Sequence, residues 1–288
     1  MPFSDLALSR RLERAEGYAC AHFASARRRA FPESGSEWRE FGGAFAVFDG
    51  VSSPATQTFG LGIFEKLTPA KLDAIEAFFL DRGAPVLHEV SPLAGVEALD
   101  LLCARHYRPV EICSVMYRPL SPQIPQPARA EITVRVIGPG EAHLWTSVTV
   151  QAWADKHPEL LDSLLQTAAI ASDREQSLCF LAEIDGQPGA AGVLCMHNGV
   201  ALFGGSATIP ALRRRGLQRA LIEARLDYAL ASGCDLAMMV AEAGSDSQRN
   251  AERQGFHIAY TRTKWRLFQT LSPQPPTPEA ADTTERMS

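Results

Sequence analysis

The chain has 288 residues, of which 46% are hydrophobic, and its formal net charge is −5. This length is sufficient for two domains, and the composition is that of an ordinary globular protein. Basic residues are not in excess and form no stripe interleaved with aromatic residues, so the sequence argues against general nucleic-acid binding.

The six cysteines occur singly, with no Cys-x-x-Cys pair and no Cys/His cluster at metal-ligand spacing. We therefore expect mostly buried thiols and no bound metal. No apolar run is as long as a bilayer span, and the N-terminal segment is charged where a signal peptide would be apolar. These patterns favour a cytoplasmic protein that does not act at a membrane.

In the first half of the chain, Thr68 and Pro69 are typical of a helix start, and Gly83 is typical of a helix end. Four prolines between residues 119 and 127 indicate a stiff linker, because proline blocks both helix and central strand. We expect a first domain over residues 1–120, a linker over 121–130, a second domain over 131–270, and a disordered tail over 271–288 that has too little apolar surface to fold.

The two halves repeat one order of elements, which indicates a duplicated fold. The matched segments are residues 45–50 with 181–186, each a strand leading into an Asp-Gly turn, 83–90 with 233–240, and 104–107 with 252–256.

An arginine-rich turn lies between a strand and a helix of the second half. Residues 200–209 are typical of a buried strand, which Pro210 stops. The apolar stripe that begins at Leu217 predicts an amphipathic helix that Gly233 ends. Between them, residues 213–219 bring arginines and Gly216 to a helix N-terminus, where an anion such as pyrophosphate binds well. A solvated arginine cluster is the alternative. The first copy has only the ordinary helix start at Thr68 in this place, so we expect it to lack the anion site.

This order of elements resembles the GNAT acyltransferase superfamily. Residues 213–218 match the family's Arg/Gln-x-x-Gly-x-Gly/Ala turn, which binds the pyrophosphate of coenzyme A, except that Gln218 stands at the last position. Residues 250–256 resemble its later helix-to-strand motif. The resemblance covers residues 131–268 well and residues 1–118 as a degenerate second copy. It implies an α/β (α+β) fold with two GNAT-like domains in tandem, each a mixed, mostly antiparallel central sheet flanked by helices.

The resemblance also implies a function, namely transfer of an acetyl group from acetyl-CoA to the amine of a small molecule by direct attack in a ternary complex. A non-catalytic acyl-CoA-binding sensor or interaction module is the alternative, and a structural partner that binds no cofactor is a third. A homodimer is left open, and the acceptor is not readable from the sequence.

By the same resemblance, the coenzyme is held by the strand before the turn, by the turn itself, and by the short helix that follows the next strand. The main chain of the strand residues would face the pantetheine arm, and Gly204 and Gly205 would either permit close approach or form a bulge. The residues implied are Ser206, Ala207, Thr208, Ile209, Arg213, Arg214, Arg215, Gly216, Leu217, Gln218, Arg219, Ser247 and Asn250.

For catalysis, the tyrosine that serves as general acid in many relatives is replaced by Ala251, which leaves Ser247 as a candidate. Glu242, just past the strand at residues 236–240, is the first candidate for the base that takes the amine proton. Weaker candidates are Glu183, His197 and His157. The helical stretch 142–171, with Trp145, Trp153, His157 and Glu159, is expected to shape the acceptor pocket.

Overall fold

The computed structural model describes residues 3–122, 131–138, 140–153, 165–166, 170 and 177–268. The expected tail at 271–288, most of the expected linker, and His157 and Glu159 lie outside the described residues.

The first half contains three helices and five strands within the described residues. Thr68 caps the second helix, as its side chain accepts a hydrogen bond from the Lys71 N–H at 3.3 Å, which confirms the predicted helix start. In chain order the elements are α1 (Leu6–Ala30), β1 (Glu37–Phe41), β2 (Ala44–Phe48), β3 (Gln57–Phe59), α2 (Pro69–Leu80), β4 (Leu87–Val90), α3 (Val96–Ala104) and β5 (Tyr107–Pro119).

The second half repeats this order of strands and helices. Its strand before Pro210 and its helix from Leu217 confirm the predicted elements, and Gly233 follows that helix with a φ of 83°. The elements are β6 (Ile132–Val136), α4 (Ala142–Trp153), β7 (Ser177–Ile184), β8 (Gln187–His197), β9 (Val200–Thr208), α5 (Leu217–Ala231), β10 (Leu236–Glu242), α6 (Asp246–Arg253) and β11 (His257–Leu267).

The eleven described strands form one sheet in the order β1-β2-β3-β4-β11-β5-β10-β9-β8-β7-β6. Neighbouring strands are antiparallel except for two parallel pairs, β3 with β4 and β9 with β10, one in each half. The predicted mixed, mostly antiparallel fold flanked by helices is therefore confirmed, with the sheets of the two halves joined edge to edge.

The join between the halves exchanges their last strands. β5, from the first half, lies between β10 and β11 of the second half, and β11 in turn pairs with β4 of the first half. Since each half supplies a strand to the other, the two cannot be separated without breaking backbone ladders.

Helices cover both faces of the sheet. On one face α1 packs against strands of both halves, with Leu8 and Leu12 among Val115, Val200 and Leu236, and α4 packs on β7 and β8. On the other face α5 and α6 cover the second half, while α2 and α3 cover the first. One long helix therefore links the two copies.

One matched pair of segments in the predicted repeat is wrong. It aligns β2 with β7, whereas the strand that corresponds to β7 is β1. Asp185 and Gly186 make the two-residue turn between β7 and β8, with φ of 51° and 74°. The corresponding turn of the first half joins β1 to β2 and consists of Gly42 and Gly43, with φ of 57° and 86°. Asp49 follows β2 and makes no such turn, because its buried carboxylate pairs with Arg27 at 2.6 Å.

Candidate functional site

Strands β9 and β10 diverge and open a cleft in the middle of the sheet. They pair only where Leu236, Ala237 and Met238 lie beside residues 200–202. Beyond this point β9 is paired only with β8, and β10 only with β5. The backbone edges that face the cleft are therefore available to a ligand.

A bulge in β9 lies within this cleft. Ala207 pairs with Ala191 and Gly204 pairs with Val193, so Gly205 and Ser206 together oppose a single residue of β8. Gly205 is exposed and has a φ of 57°, a conformation that glycine adopts without strain. Gly205 therefore fits both predicted roles, since it forms a bulge and also leaves the strand accessible to a close approach.

The directions of the N–H groups beyond the bulge follow from the alternation of an antiparallel ladder. The Ile209 N–H donates to the Gly189 carbonyl of β8 at 2.9 Å. The N–H group of Thr208, the neighbouring residue, consequently points to the opposite edge, into the cleft. Backbone donors in this position are suited to an oxygen that gains negative charge during acyl transfer.

The turn after β9 opens the N-terminus of α5. Arg214 has a φ of 64°, and Gly216, the N-cap residue, has a φ of 96° and provides no side-chain cap. The first N–H groups of α5 therefore lack the side-chain partner that Thr68 gives to α2. The two copies therefore differ in the capping of this helix start, and the positive end of α5 suits an anion.

The arginines of the turn differ in their contacts. Arg213 donates to the carbonyls of Thr208 and Ala152, both at 3.3 Å, so it braces the turn against β9 and α4. Arg215 and Arg219 make exposed ion pairs, with Asp185 at 3.4 Å and Glu223 at 2.7 Å. Such exposed pairs are weak, so an anion can compete for these side chains.

The remaining predicted residues lie at the end of β9, in the turn and at the start of α5. Leu217 is buried in the core beneath α5, and Gln218 is half-buried in the first turn of that helix. Arg214 is exposed, and the described residues offer it no ion pair. Ile209 and Thr208 are half-buried at the end of β9.

The short helix α6 presents Ser247 and Asn250 to solvent, while Ala251 is fully buried in the core. Ser245 caps this helix, accepting from the Gln248 N–H at 3.2 Å, as its pattern predicts. Gln248 in turn accepts from the Ser114 hydroxyl of β5 at 3.1 Å. The helix is thus fixed to a strand of the other half, and position 251 carries no proton donor.

Glu242 is the last residue of β10, and its side chain is exposed at the end of the cleft. Its partner in the sheet register is Cys113 of β5, which is paired on its other side with Arg262 of β11. The Cys113 thiol donates to Glu111 at 3.0 Å. Burial, with the Glu111 contact, raises the pKa of Cys113 to about 12, so this thiol stays protonated at neutral pH.

These neighbours of Glu242 were missed from the sequence. They come from the first half and from the last strand, and no local signal in the chain indicates the strand exchange that brings them together. Only the long apolar β5 segment, which the repeat matches to β11, hints that the two strands are equivalent.

Two of the weaker candidates for the base, Glu183 and His197, are engaged elsewhere. Glu183 pairs with Arg135 at 2.8 Å on the outer part of the sheet. His197 stacks on Tyr18 with ring centroids 3.8 Å apart, at the closed end of the cleft. Burial, then the charges of Arg14 and His22, lower the pKa of His197. Glu242 therefore stays the first candidate for the base, as an exposed carboxylate at the end of β10.

Of the predicted pocket aromatics, Trp145 is a core residue. It is buried, and its indole N–H donates to the Phe180 carbonyl at 3.1 Å. Trp153 ends α4 and is half-buried. Within the described ranges, no group of three or more His, Cys, Asp or Glu residues is placed to hold a metal ion, and no helix is long and apolar enough to cross a membrane.

Comparison with known proteins identifies the second half. Residues 142–256 match the model of the acetyltransferase (GNAT) family. No curated protein matches the chain significantly in sequence.

Solved structures share the fold over most of the chain. A GCN5-related N-acetyltransferase from Kribbella flavida is 18% identical with a TM-score of 0.56, over 86% of this chain and 95% of that one. One from Sphaerobacter thermophilus is 19% identical with a TM-score of 0.52, over 73% and 71%. A tandem GNAT protein from the clavulanic acid biosynthesis pathway is 14% identical with a TM-score of 0.54, over 79% of each chain. The predicted tandem arrangement is confirmed.

Proposed function

We propose that this chain, whose residues 142–256 match the model of the GNAT acetyltransferase family, transfers an acetyl group from acetyl-CoA to the amine of a small molecule. This match supports acyl-CoA-dependent acetyl transfer in general. The observation that carries the finer proposal is the combination of an uncapped α5 N-terminus at Gly216 with an open β9 edge leading to it. The equivalent helix of the first half, α2, is capped by Thr68.

In this proposal the turn binds the pyrophosphate of acetyl-CoA, and the cleft binds its pantetheine arm. The N–H groups of Leu217, Gln218 and Arg219, with Arg214 and Arg215, would hold the pyrophosphate by charge-assisted hydrogen bonds. Residues 206–209 would face the pantetheine arm through their main chain. Ser247 and Asn250 lie exposed on α6, which borders β10, and would contact the same arm.

In the reaction, the neutral amine nitrogen attacks the thioester carbonyl carbon and forms the C–N bond. The carbonyl oxygen gains charge and is stabilised by backbone N–H groups of β9. The C–S bond then breaks and releases CoA thiolate. Glu242 accepts the proton lost by the amine, because an amine with a pKa of about 10 is mostly protonated at neutral pH. Protonation of the thiolate completes the balance, with Ser247 as the nearest hydroxyl candidate on α6.

A non-catalytic acyl-CoA-binding sensor is the second candidate, favoured by one observation. Ala251 is fully buried, so the position of the usual acid is part of the core. A CoA thiol, with a pKa near that of cysteine at about 8.5, needs little help to leave, which favours the enzyme.

The two candidates are separated by one assay. Purified protein is incubated with acetyl-CoA and a broad panel of small amines, and the free CoA thiol is measured. Release that depends on an amine supports the transferase. Tight CoA binding in calorimetry, together with no release of CoA thiol in the presence of any amine, supports the sensor.

We infer a reducing compartment, the cytoplasm, because the six cysteines are scattered singly along the sequence. Its acidic net charge and its cleft favour a small-molecule acceptor over nucleic acid. A homodimer stays a prediction, as do the limits of the two domains.

A further inference from the structure

Arg225 is a buried cation beneath the bulge of β9. It projects from α5 into the sheet with 1% of its surface exposed, and the described residues place no carboxylate within ion-pair distance of it. Burial lowers the pKa of its guanidinium to about 9, so the group still carries its charge at neutral pH. An unpaired buried charge opposes folding, so it calls for an explanation beyond packing.

The contacts of Arg225 converge on the bulge. Its Nη2 donates to the Ser206 hydroxyl at 2.8 Å, and its Nη1 donates to the Val193 carbonyl at 3.0 Å and lies 3.5 Å from the Gly204 carbonyl. Its Nε is tied to its own helix through the Leu221 carbonyl at 3.0 Å. The guanidinium therefore bridges α5, β8 and both sides of the bulge.

Two neighbouring residues fit this arrangement. A Cβ atom at Gly192, the β8 residue opposite the bulge, would lie 3.0 Å from Nη1 and 3.1 Å from Cζ, which is closer than side chains normally pack. The guanidinium also lies 4.7 Å from the centroid of the Phe203 ring, an attractive cation–π contact. Gly192 thus leaves space for the guanidinium, and the Phe203 ring stabilises its charge.

We infer that Arg225 is a positioning residue of the acetyl-transfer site. It fixes the bulge on the N-terminal side of Thr208, whose N–H group faces the cleft, and its positive charge lies behind the strand whose donors receive the thioester oxygen. A fixed charge in a low-dielectric surrounding strengthens such donors without reorganisation during the reaction. This inference rests on the proposed function, because it requires the acetyl group to bind in the β9–β10 cleft.

The test is the infrared carbonyl band of acetyl-CoA labelled with ¹³C at the acetyl carbonyl and bound to the full chain. Strong donors lower the stretching frequency of the bound thioester carbonyl relative to the free molecule. We expect a clear downshift in the wild type, its loss in Arg225→Met, and partial retention in Arg225→Lys. Acetyl transfer by Arg225→Met should fall about tenfold or more in kcat, with little change in KM.

Arg118→Met is the matched control, since Arg118 is a half-buried arginine of β5 that hydrogen-bonds the Gln254 carbonyl, away from the bulge. It should keep the full downshift. If Arg225→Met does not fold, Gly192→Ala serves in its place, because it displaces the guanidinium and keeps the charge. Full downshift in both Arg225→Lys and Gly192→Ala would then overturn the inference.

The outcomes separate this inference from the proposed function. A downshift that is the same in the wild type and in Arg225→Met removes the role of Arg225 and leaves the function intact. A wild type that binds no acetyl-CoA removes both.

Discussion

Glu242, the last residue of β10, lies directly opposite Cys113 of β5 in the antiparallel register. The candidate base belongs to the half with the proposed coenzyme site, and its partner in the register belongs to the other half. The first half therefore supplies the strand that lies beside the candidate base.

We expect the two halves to remain associated after the chain is cut between them. A protease site inserted within residues 123–130 allows cleavage of the folded protein. Because β5 pairs with both β10 and β11, the fragments should co-elute in gel filtration under native conditions and keep their affinity for CoA. The opposite result is a second fragment that separates, stays folded and binds CoA alone.

Local features of this fold were predictable from the sequence, and the long-range arrangement was not. Thr68, Pro69, Ser245 and Gly233 mark helix ends by their own chemistry, so the pattern located these ends to the residue. The exchange of β5 and β11 depends on pairing between distant segments, and both strands are long segments of mixed apolar and polar residues. Alternative pairings of equivalent strands are indistinguishable in a single sequence.

The candidate site shows the same division. The arginine turn was predictable because Gly216 and its neighbours form one local motif. Arg225 was missed, since the sequence of the helix 217–231 does not distinguish a buried arginine from one on the surface. Its burial is seen only in the structure, where Arg225 lies beside the bulge at Gly205 and fills the space that Gly192 leaves.

We expect Glu242→Gln to lower the rate of acetyl transfer by about a hundredfold with whichever amine the wild type uses, because the amide cannot accept the amine proton. Binding of CoA, measured by calorimetry, should be unchanged. The control is Glu223→Gln, which removes an exposed carboxylate of α5 that pairs with Arg219. Equal rates for Glu242→Gln and the wild type would exclude Glu242 as the base.

We expect the thiol of Cys113 to resist alkylation in the native protein. Its pKa is raised to about 12, mainly by burial, so at pH 8 its thiolate fraction is about a thousandfold below that of an ordinary cysteine. Cys103, which is exposed, provides the internal comparison. Mass spectrometry after brief iodoacetamide treatment should find Cys103 modified and Cys113 intact, and both modified in urea. Comparable native rates would refute the protonated, buried thiol.

We expect His88 to make the folded protein sensitive to acid. It is fully buried, its Nε2 is 3.0 Å from the Tyr107 hydroxyl, and burial lowers its pKa to about 3. A folded-state pKa below the unfolded value means that protonation favours unfolding. The contribution of His88 to stability is thus present above pH 6.5, the unfolded value, and is lost as the pH falls toward 3.

The loss should amount to about 2 kcal/mol between pH 7 and pH 5. His88→Gln does not titrate in this range, so its free energy of unfolding in urea should decline less by that amount. His257→Gln, at an exposed histidine of β11, should behave as the wild type does. Parallel pH profiles for His88→Gln and the wild type would contradict a buried neutral imidazole.

The central claim, that the N-terminus of α5 binds the pyrophosphate of coenzyme A, is tested most directly by calorimetric titration of CoA into the wild type and the double variant Arg215→Glu with Gly216→Glu. The control is Gly233→Glu, which places the same charge at a left-handed glycine beyond the opposite end of the same helix. We expect the wild type and the control to bind one CoA per chain with similar Kd, and the double variant to bind at least about tenfold more weakly, since the charge-assisted contact of Arg215 is lost and two negative charges face the pyrophosphate. Unchanged affinity in the double variant would contradict the claim.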